Sequence, residues 1–254
     1  MKVYKFGGAS VKDAESVKNV ALVLETQGFE KCLLVVSAMG KTTNALEKVV
    51  EFYFKKQDYQ SEIETIKQNH IDIAKGLFSD NHAVFGEISL FFDDIDSFLR
   101  RNKSPNYNFV YDQVVSCGEM ISSKILSEYL NELQFFNHWL DARDYIKTDS
   151  NYREGIVNWQ ETEQNIAKLD KINCYVTQGF IGSESNNFTV TLGREGSDYT
   201  AAIFAYCLNA DEMTIWKDVP GVMTGDPRKF ENVELLSHIS YEEAIEMAYY
   251  GASV

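Results

Sequence analysis

The stretch "KCLLVVSA", Lys31 to Ala38, constrains this chain more than any other. Its apolar residues run without the alternation of a half-wet strand, so it reads as a strand covered on both faces, inside a parallel sheet flanked by helices. The residues before it supply the rest of a unit. "KVYKF", Lys2 to Phe6, reads as a short strand. "KDAESVKNVALVLETQG" places Ala14, Val17, Val20, Ala21 and Leu24 on one helical face, and Gly28 ends that helix. Strand, helix and strand within about 36 residues make a βαβ unit.

From Thr43 to about Leu133 the helical period dominates, broken near Asp58, Ser79 and "KSPNYN", which predicts a helical insertion. Three further strands are expected in "FFNHWLDA", "INCYVTQGFIG" and "EMTIWKDV". "SDYTAAIFAYCLN" predicts a helix with Tyr199, Ala202, Ile203 and Tyr206 on one face, and "SYEEAIEMAYYGASV" opens with a capping box, Ser240 to Glu243, and ends its helix at Gly251. Strands alternating with helices predict a doubly wound, mainly parallel α/β sheet. No Pro/Gly/Ser-rich linker divides the pattern, so the 254 residues read as one domain.

Net charge is −14, from 38 acidic and 24 basic residues, which disfavours nucleic acid as a partner. No apolar run reaches membrane-span length and no signal-peptide order opens the chain, so a soluble, cytoplasmic protein is expected. Cys32, Cys117, Cys174 and Cys207 are far apart, form no CxxC and fall in apolar runs, the pattern of reduced core thiols.

Chemistry is expected in the loops. In "KFGGAS", Lys5 precedes Gly7 and Gly8, whose bare backbone amides can hold an anion toward which the ammonium projects; a tight turn with a solvated lysine is the structural alternative. The loop lacks both GxxxxGK[ST] and GxGxxG. "VVSAMGKTTN" offers Ser37, Thr42 and Thr43 before a helix, and either threonine would serve as its N-cap. "TLGREGSDYTAA" sets Arg194 between glycines, with Ser197 and Asp198 at a helix start where an anion is favoured; either could cap the helix, but capping leaves the arginine unexplained. "WKDVPGVMTGDPR" is a loop stiffened by Pro220 and Pro227 after a sheet strand, where open α/β folds bind ligands. Glu119 lies in a mainly apolar helical stretch, so its carboxylate is expected either to be exposed or to meet a cation.

In this order, "KFGGAS", Ser37 and Ala38 with Thr43, "CGE", "QGFIG", "GREGSD", "DVPGVMTGDPR" and "GASV" resemble the catalytic domain of aspartokinases, in the amino-acid kinase superfamily, from Lys2 to Val254. The resemblance implies a three-layer α/β/α sandwich with a mainly parallel central sheet. It also implies transfer of the γ-phosphoryl group of MgATP to the β-carboxylate of L-aspartate, the first step toward lysine, threonine and methionine. Lys5, Gly8 and Asp198 would be catalytic, and the acceptor would meet Ser37, Ala38, Thr43, Glu119, Arg194, Ser197 and Asp198. The nucleotide would meet Lys5, Gly7, Gly8, Ser10, Lys217, Asp218, Val219, Met223, Asp226 and Arg228. ATP and Mg²⁺ are the expected cofactors, with no metal ligand assigned to the protein and a homodimer as the assembly to be tested. An attacking carboxylate is already ionised at neutral pH, so no general base is required, and none of His70, His82, His138 or His238 falls in these loops.

Against the family pattern, Ala9 stands for threonine, Glu195 for a glycine that would suit a positive φ, Lys217 for threonine, Met223 for tyrosine and Ser253 for a lysine near ATP. Lys217 is expected to supply the charge absent at Ser253. The regulatory ACT domains of the family are expected to be missing, because the chain ends where their linker would begin. Two alternatives stay open: another acceptor such as glutamate or a nucleoside monophosphate, and a non-catalytic nucleotide-binding regulatory subunit.

Overall fold

A computed structural model describes residues 1–251, so Ser253 and the end of "GASV" lie outside the described residues. The chain forms two compact units, Met1–Trp216 and Lys217–Val254.

The first unit is built on a sheet of five parallel strands in the order β3-β4-β2-β1-β7. These are β1 (Lys2–Phe6), β2 (Cys32–Val36), β3 (His138–Leu140), β4 (Tyr175–Gln178) and β7 (Glu212–Trp216). All five residues of β2 are buried, as an interior strand requires. A small antiparallel pair, β5 (Ile181–Ser183) and β6 (Thr189–Thr191), lies beyond β4 in sequence. The strand β6 was not legible in the periodicity, because at three residues it is too short to show one.

The period of two along each strand divides the apolar residues between two cores. Tyr4, Phe6, Leu34, Val36 and Val176 face one side, where they pack with Val17, Val20 and Leu24 of α1 (Ala14–Gln27). The same core takes in the helical insertion: α2 (Thr42–Phe54), α3 (Gln60–Lys75), α4 (Val84–Arg101), α5 (Tyr107–Val115) and α6 (Cys117–Glu132). Val3, Leu33, Val35 and Tyr175 face the other side, against Ile166 of α8 (Trp159–Ile166) and Ala201, Ile203, Phe204 and Leu208 of α9 (Gly196–Leu208). Between β3 and α8 a single turn forms α7 (Ala142–Tyr145). Helix, sheet and helix are therefore the three layers expected.

Two local expectations fail. In α9, Tyr199 and Tyr206 are exposed and the buried face runs through Ala201, Phe204 and Leu208. This helix is apolar on most sides, so spacing alone could not choose its face. Thr42 and Thr43 do not cap α2: Lys41 occupies the cap position without a side-chain bond, and Thr42 Oγ1 instead donates to the Met39 carbonyl at 2.7 Å.

In the second unit, Thr224 and Leu236 N–H groups bond the Glu234 and Val222 carbonyls at 2.9 and 2.8 Å, pairing Met223 with Leu235. Helix α10 (Tyr241–Tyr249) opens with the expected capping box, in which Ser240 N donates to Glu243 Oε2 at 2.9 Å and Glu243 N donates to Ser240 Oγ at 3.2 Å. Among the described residues no helix is long and apolar enough to cross a membrane.

Candidate active site

Alternation along β1 puts Lys5 on the face of Val3, the face that α9 covers, so its side chain runs under the start of that helix. Lys5 is only 7% exposed and its Nζ stands 2.5 Å from Asp198 Oδ1, in the first turn of α9. A solvated lysine on a tight turn is thereby excluded.

The chain then turns through a single 3-10 turn, Gly8–Val11. Gly8 is required by close approach: a Cβ there would sit 2.7 Å from the Ala38 carbonyl oxygen and 3.2 Å from that of Gly40. The Gly40 N–H donates to the Gly8 carbonyl at 3.0 Å, and Ser37 N–H donates to Phe6 at 3.1 Å. The loops after β1 and β2 are thus stitched together, one carrying Gly8 and the other Ser37, Ala38 and Thr43.

These residues line a cavity of about 310 Å³ together with Lys5, Gly40, Glu119, Phe180, Gly193, Arg194, Glu195, Gly196, Ser197 and Asp198. All the acceptor residues named from the sequence meet there. Of the residues named for the nucleotide, Lys5 and Gly8 line it. Gly7 adjoins it, because a Cβ there would lie 3.6 Å from Lys5 Nζ, whereas Ser10 is turned away with its Oγ 3.5 Å from the Trp216 carbonyl. Ala9 is exposed.

Glu119 takes neither course expected of it. It is 3% exposed, its Oε1 accepts only a long 3.4 Å bond from Ala38 N–H, and its Oε2 has no hydrogen-bond partner in the protein. Burial pushes this carboxyl up to about 8, partly offset by its own N–H and that of Ala38. This carboxyl stands at the wall of a polar cavity with one oxygen unmet.

Neither Ser197 nor Asp198 caps α9. Glu195 holds the cap position with φ 56° and ψ 21°, without a side-chain bond, in the left-handed region that the glycine of related sequences would enter freely. Arg194 is 95% exposed along its side chain, with Nε 4.0 Å from Glu195 Oε1. Behind this loop Gly179 is tightly confined, since a Cβ would fall 2.5 Å from the Ser197 Cβ. Gly40, Phe180, Gly193 and Gly196 were not chosen as site residues from the sequence. Phe180 gave one usable signal, its place in "QGFIG", but its φ of 72° is visible only in the structure.

In the second unit Lys217, Asp218, Val219, Met223, Asp226 and Arg228 lie along one loop region. Arg228 grips Asp226 with Nε to Oδ1 at 2.9 Å and Nη2 to Oδ2 at 3.1 Å, and this fork pulls the Asp226 carboxyl down to about 2. Arg228 is therefore already half of an ion pair. Among the described residues no group of three or more His, Cys, Asp or Glu is placed to hold a metal ion.

Fold and site define an α/β protein whose pocket sits at the carboxyl ends of parallel strands, with a buried lysine on its floor and a buried acid in its wall. The pattern of the amino acid kinase family matches residues 1–254, and the chain belongs to that family. It is 33% identical over 268 residues to bifunctional aspartokinase/homoserine dehydrogenase 2, chloroplastic, of Arabidopsis thaliana, covering 99% of this chain and 28% of that protein. It is 32% identical to lysine-sensitive aspartokinase 3 of Escherichia coli, covering 99% and 56%. The crystal structure of E. coli aspartokinase III in complex with aspartate and ADP superposes with a TM-score of 0.88 at 30% identity, covering 98% of this chain and 56% of that one. The chain thus spans about half the length of the E. coli enzyme and under a third of the bifunctional plant one.

Proposed function

We propose that this chain is the catalytic part of an aspartokinase, transferring the γ-phosphoryl group of ATP to the β-carboxylate of L-aspartate to give 4-phospho-L-aspartate. One observation carries the reading: a single cavity holds the buried Lys5 with Asp198, the buried neutral Glu119 and the exposed Arg194. The aspartate and ADP in the matched E. coli structure support it.

A loose phosphoryl-transfer transition state asks for position and charge neutralisation. Lys5, held by Asp198 and floored by the Gly7 and Gly8 backbone, would neutralise the migrating phosphoryl group. The Gly8 Cα packs too close to the Ala38 and Gly40 carbonyls for a Cβ, which fixes this loop, and its bare backbone N–H would be the group that meets phosphate oxygens. Mg²⁺ would arrive on the nucleotide and lower the phosphate charge, held mainly by phosphate and water. Arg194 would fold onto the α-carboxylate, and Glu119 would ionise against the α-ammonium, with Ser37, Ala38, Thr43 and Ser197 shaping the pocket. Lys217, Asp218, Val219, Met223, Asp226 and Arg228 would hold the nucleotide, and Lys217→Ala should weaken it. The acceptor attacks as a carboxylate, so no base is needed. A biosynthetic role toward lysine, threonine and methionine, a cytoplasmic setting and a homodimer belong to the same proposal.

The test is ATP-dependent hydroxamate formation with L-aspartate, D-aspartate and L-glutamate in parallel. Product from L-aspartate well above the other two is expected, and equal yields from all three would remove the acceptor assignment.

A further inference from the structure

The four cysteines look unrelated in sequence, but β2 and β4 pair in parallel with Leu33 opposite Tyr175, which sets Cys32 beside Cys174. Lateral neighbours on adjacent strands are about 4.8 Å apart, within the Cα separation that a disulfide spans. Their side chains converge. Both sulfurs converge on the Phe29 carbonyl oxygen, Cys32 Sγ at 3.0 Å and Cys174 Sγ at 2.6 Å. Cys32 is buried and Cys174 partly exposed, so a reagent meets Cys174 with Cys32 directly behind it.

The geometry points to a redox modification site, in which Cys32 and Cys174 close to a disulfide when a two-electron oxidant of the hydroperoxide class reaches Cys174. The Cys174 sulfur attacks the peroxide, the O–O bond breaks, and a sulfenic acid forms as water leaves with the thiol proton. The Cys32 sulfur then attacks that sulfenic sulfur, the S–O bond breaks, and a second water leaves. Two thiols are oxidised by two electrons and one peroxide is reduced.

The surroundings favour this order. The neighbouring Cys32 thiol and the N–H groups of Cys32 and Lys31 draw the Cys174 thiol down against its partial burial, whereas burial raises Cys117 to about 12 and Cys207 to about 11. The pair sits at the amino ends of β2 and β4, away from the loops after them that carry Ser37, Ala38 and Gly179. Closure therefore staples two strands without entering the cavity, and covalent mapping reads it independently of any kinase activity.

The experiment treats the whole chain with hydrogen peroxide, alkylates the remaining thiols and maps peptides without reduction. The expected result is a cross-linked peptide containing Cys32 and Cys174, with the loss of two hydrogen atoms, reversal by dithiothreitol, and Cys117 and Cys207 still alkylated. Cys32→Ser should abolish the cross-link and leave a sulfenic acid on Cys174 that a cyclic 1,3-dione traps. In the unsubstituted chain at pH 7.5, iodoacetamide should label Cys174 roughly five-fold or more faster than Cys207, a readout that does not depend on any variant folding. Oxidation of Cys207 before Cys174, or a cross-link joining separate chains, would overturn the assignment.

Discussion

Lys5 Nζ lies 2.5 Å from Asp198 Oδ1, a contact that joins the end of β1 to the first turn of α9 across the floor of the cavity. The carboxylate fixes the ammonium where the backbone of Gly7 and Gly8 turns, so orientation is in place before any ligand binds. Lys5→Met removes the charge and keeps most of the length. Turnover should fall roughly 10²- to 10³-fold, the scale for loss of one preorganised group that stabilises transition-state charge. The hydroxamate assay measures it, and a variant keeping more than a tenth of the parent rate would take Lys5 out of the chemistry.

Glu119 gives a pH signature. Its carboxyl is raised from the ordinary 4.5 to about 8 by burial, so the folded chain holds a proton there that the unfolded chain has released. Stability from this group is full below about pH 4.5 and is lost as pH rises toward 8, by an amount on the order of a few kcal/mol. Glu119→Gln should lack that slope and become more stable than the parent at pH 8.5, as read by denaturant melts at pH 5 and 8.5. If Glu119 meets the α-ammonium, aspartate binding at pH 7 should release close to one proton. Calorimetry in buffers of different ionisation enthalpy detects this, and no release would separate Glu119 from the ammonium.

Gly8→Ala tests the seam between the first two loops. The new Cβ would meet the Ala38 carbonyl oxygen at 2.7 Å, and two stretches of backbone must part to admit it. A loss of roughly 1–3 kcal/mol in stability is expected, with at least about a ten-fold drop in turnover as the cradle shifts. Parallel thermal melts and rates check both; unchanged kinetics would show that the seam is not part of the catalytic geometry.

Glu195→Gly restores the residue that the left-handed backbone favours. Both side chains of the Arg194 and Glu195 pair are largely exposed, so the charge effect is modest and screened by salt. The KM for aspartate should fall by no more than about five-fold at low salt and converge with the parent at high salt. Tighter binding that ignores salt would point to backbone relief instead of charge.

What the sequence determined on its own was the layering and the order of the chemical loops. The unbroken apolar run of β2 permits only an interior strand, and Lys5 before two glycines and Arg194 between glycines marked loops that line the cavity, whereas Glu119, expected to be exposed or paired with a cation, is neither. Periodicity failed where it carried no contrast, as in α9, apolar nearly all round, and in the three-residue β6. Tertiary structure alone decided which groups meet. Asp198 reaches Lys5 because α9 crosses the face of β1 to which alternation turns that lysine. The Glu119 carboxyl is raised because packing removes water and leaves one oxygen without a partner. Cys32 finds Cys174 through strand register, since pairing across a parallel sheet is set by the crossovers between strands and by no spacing along the chain.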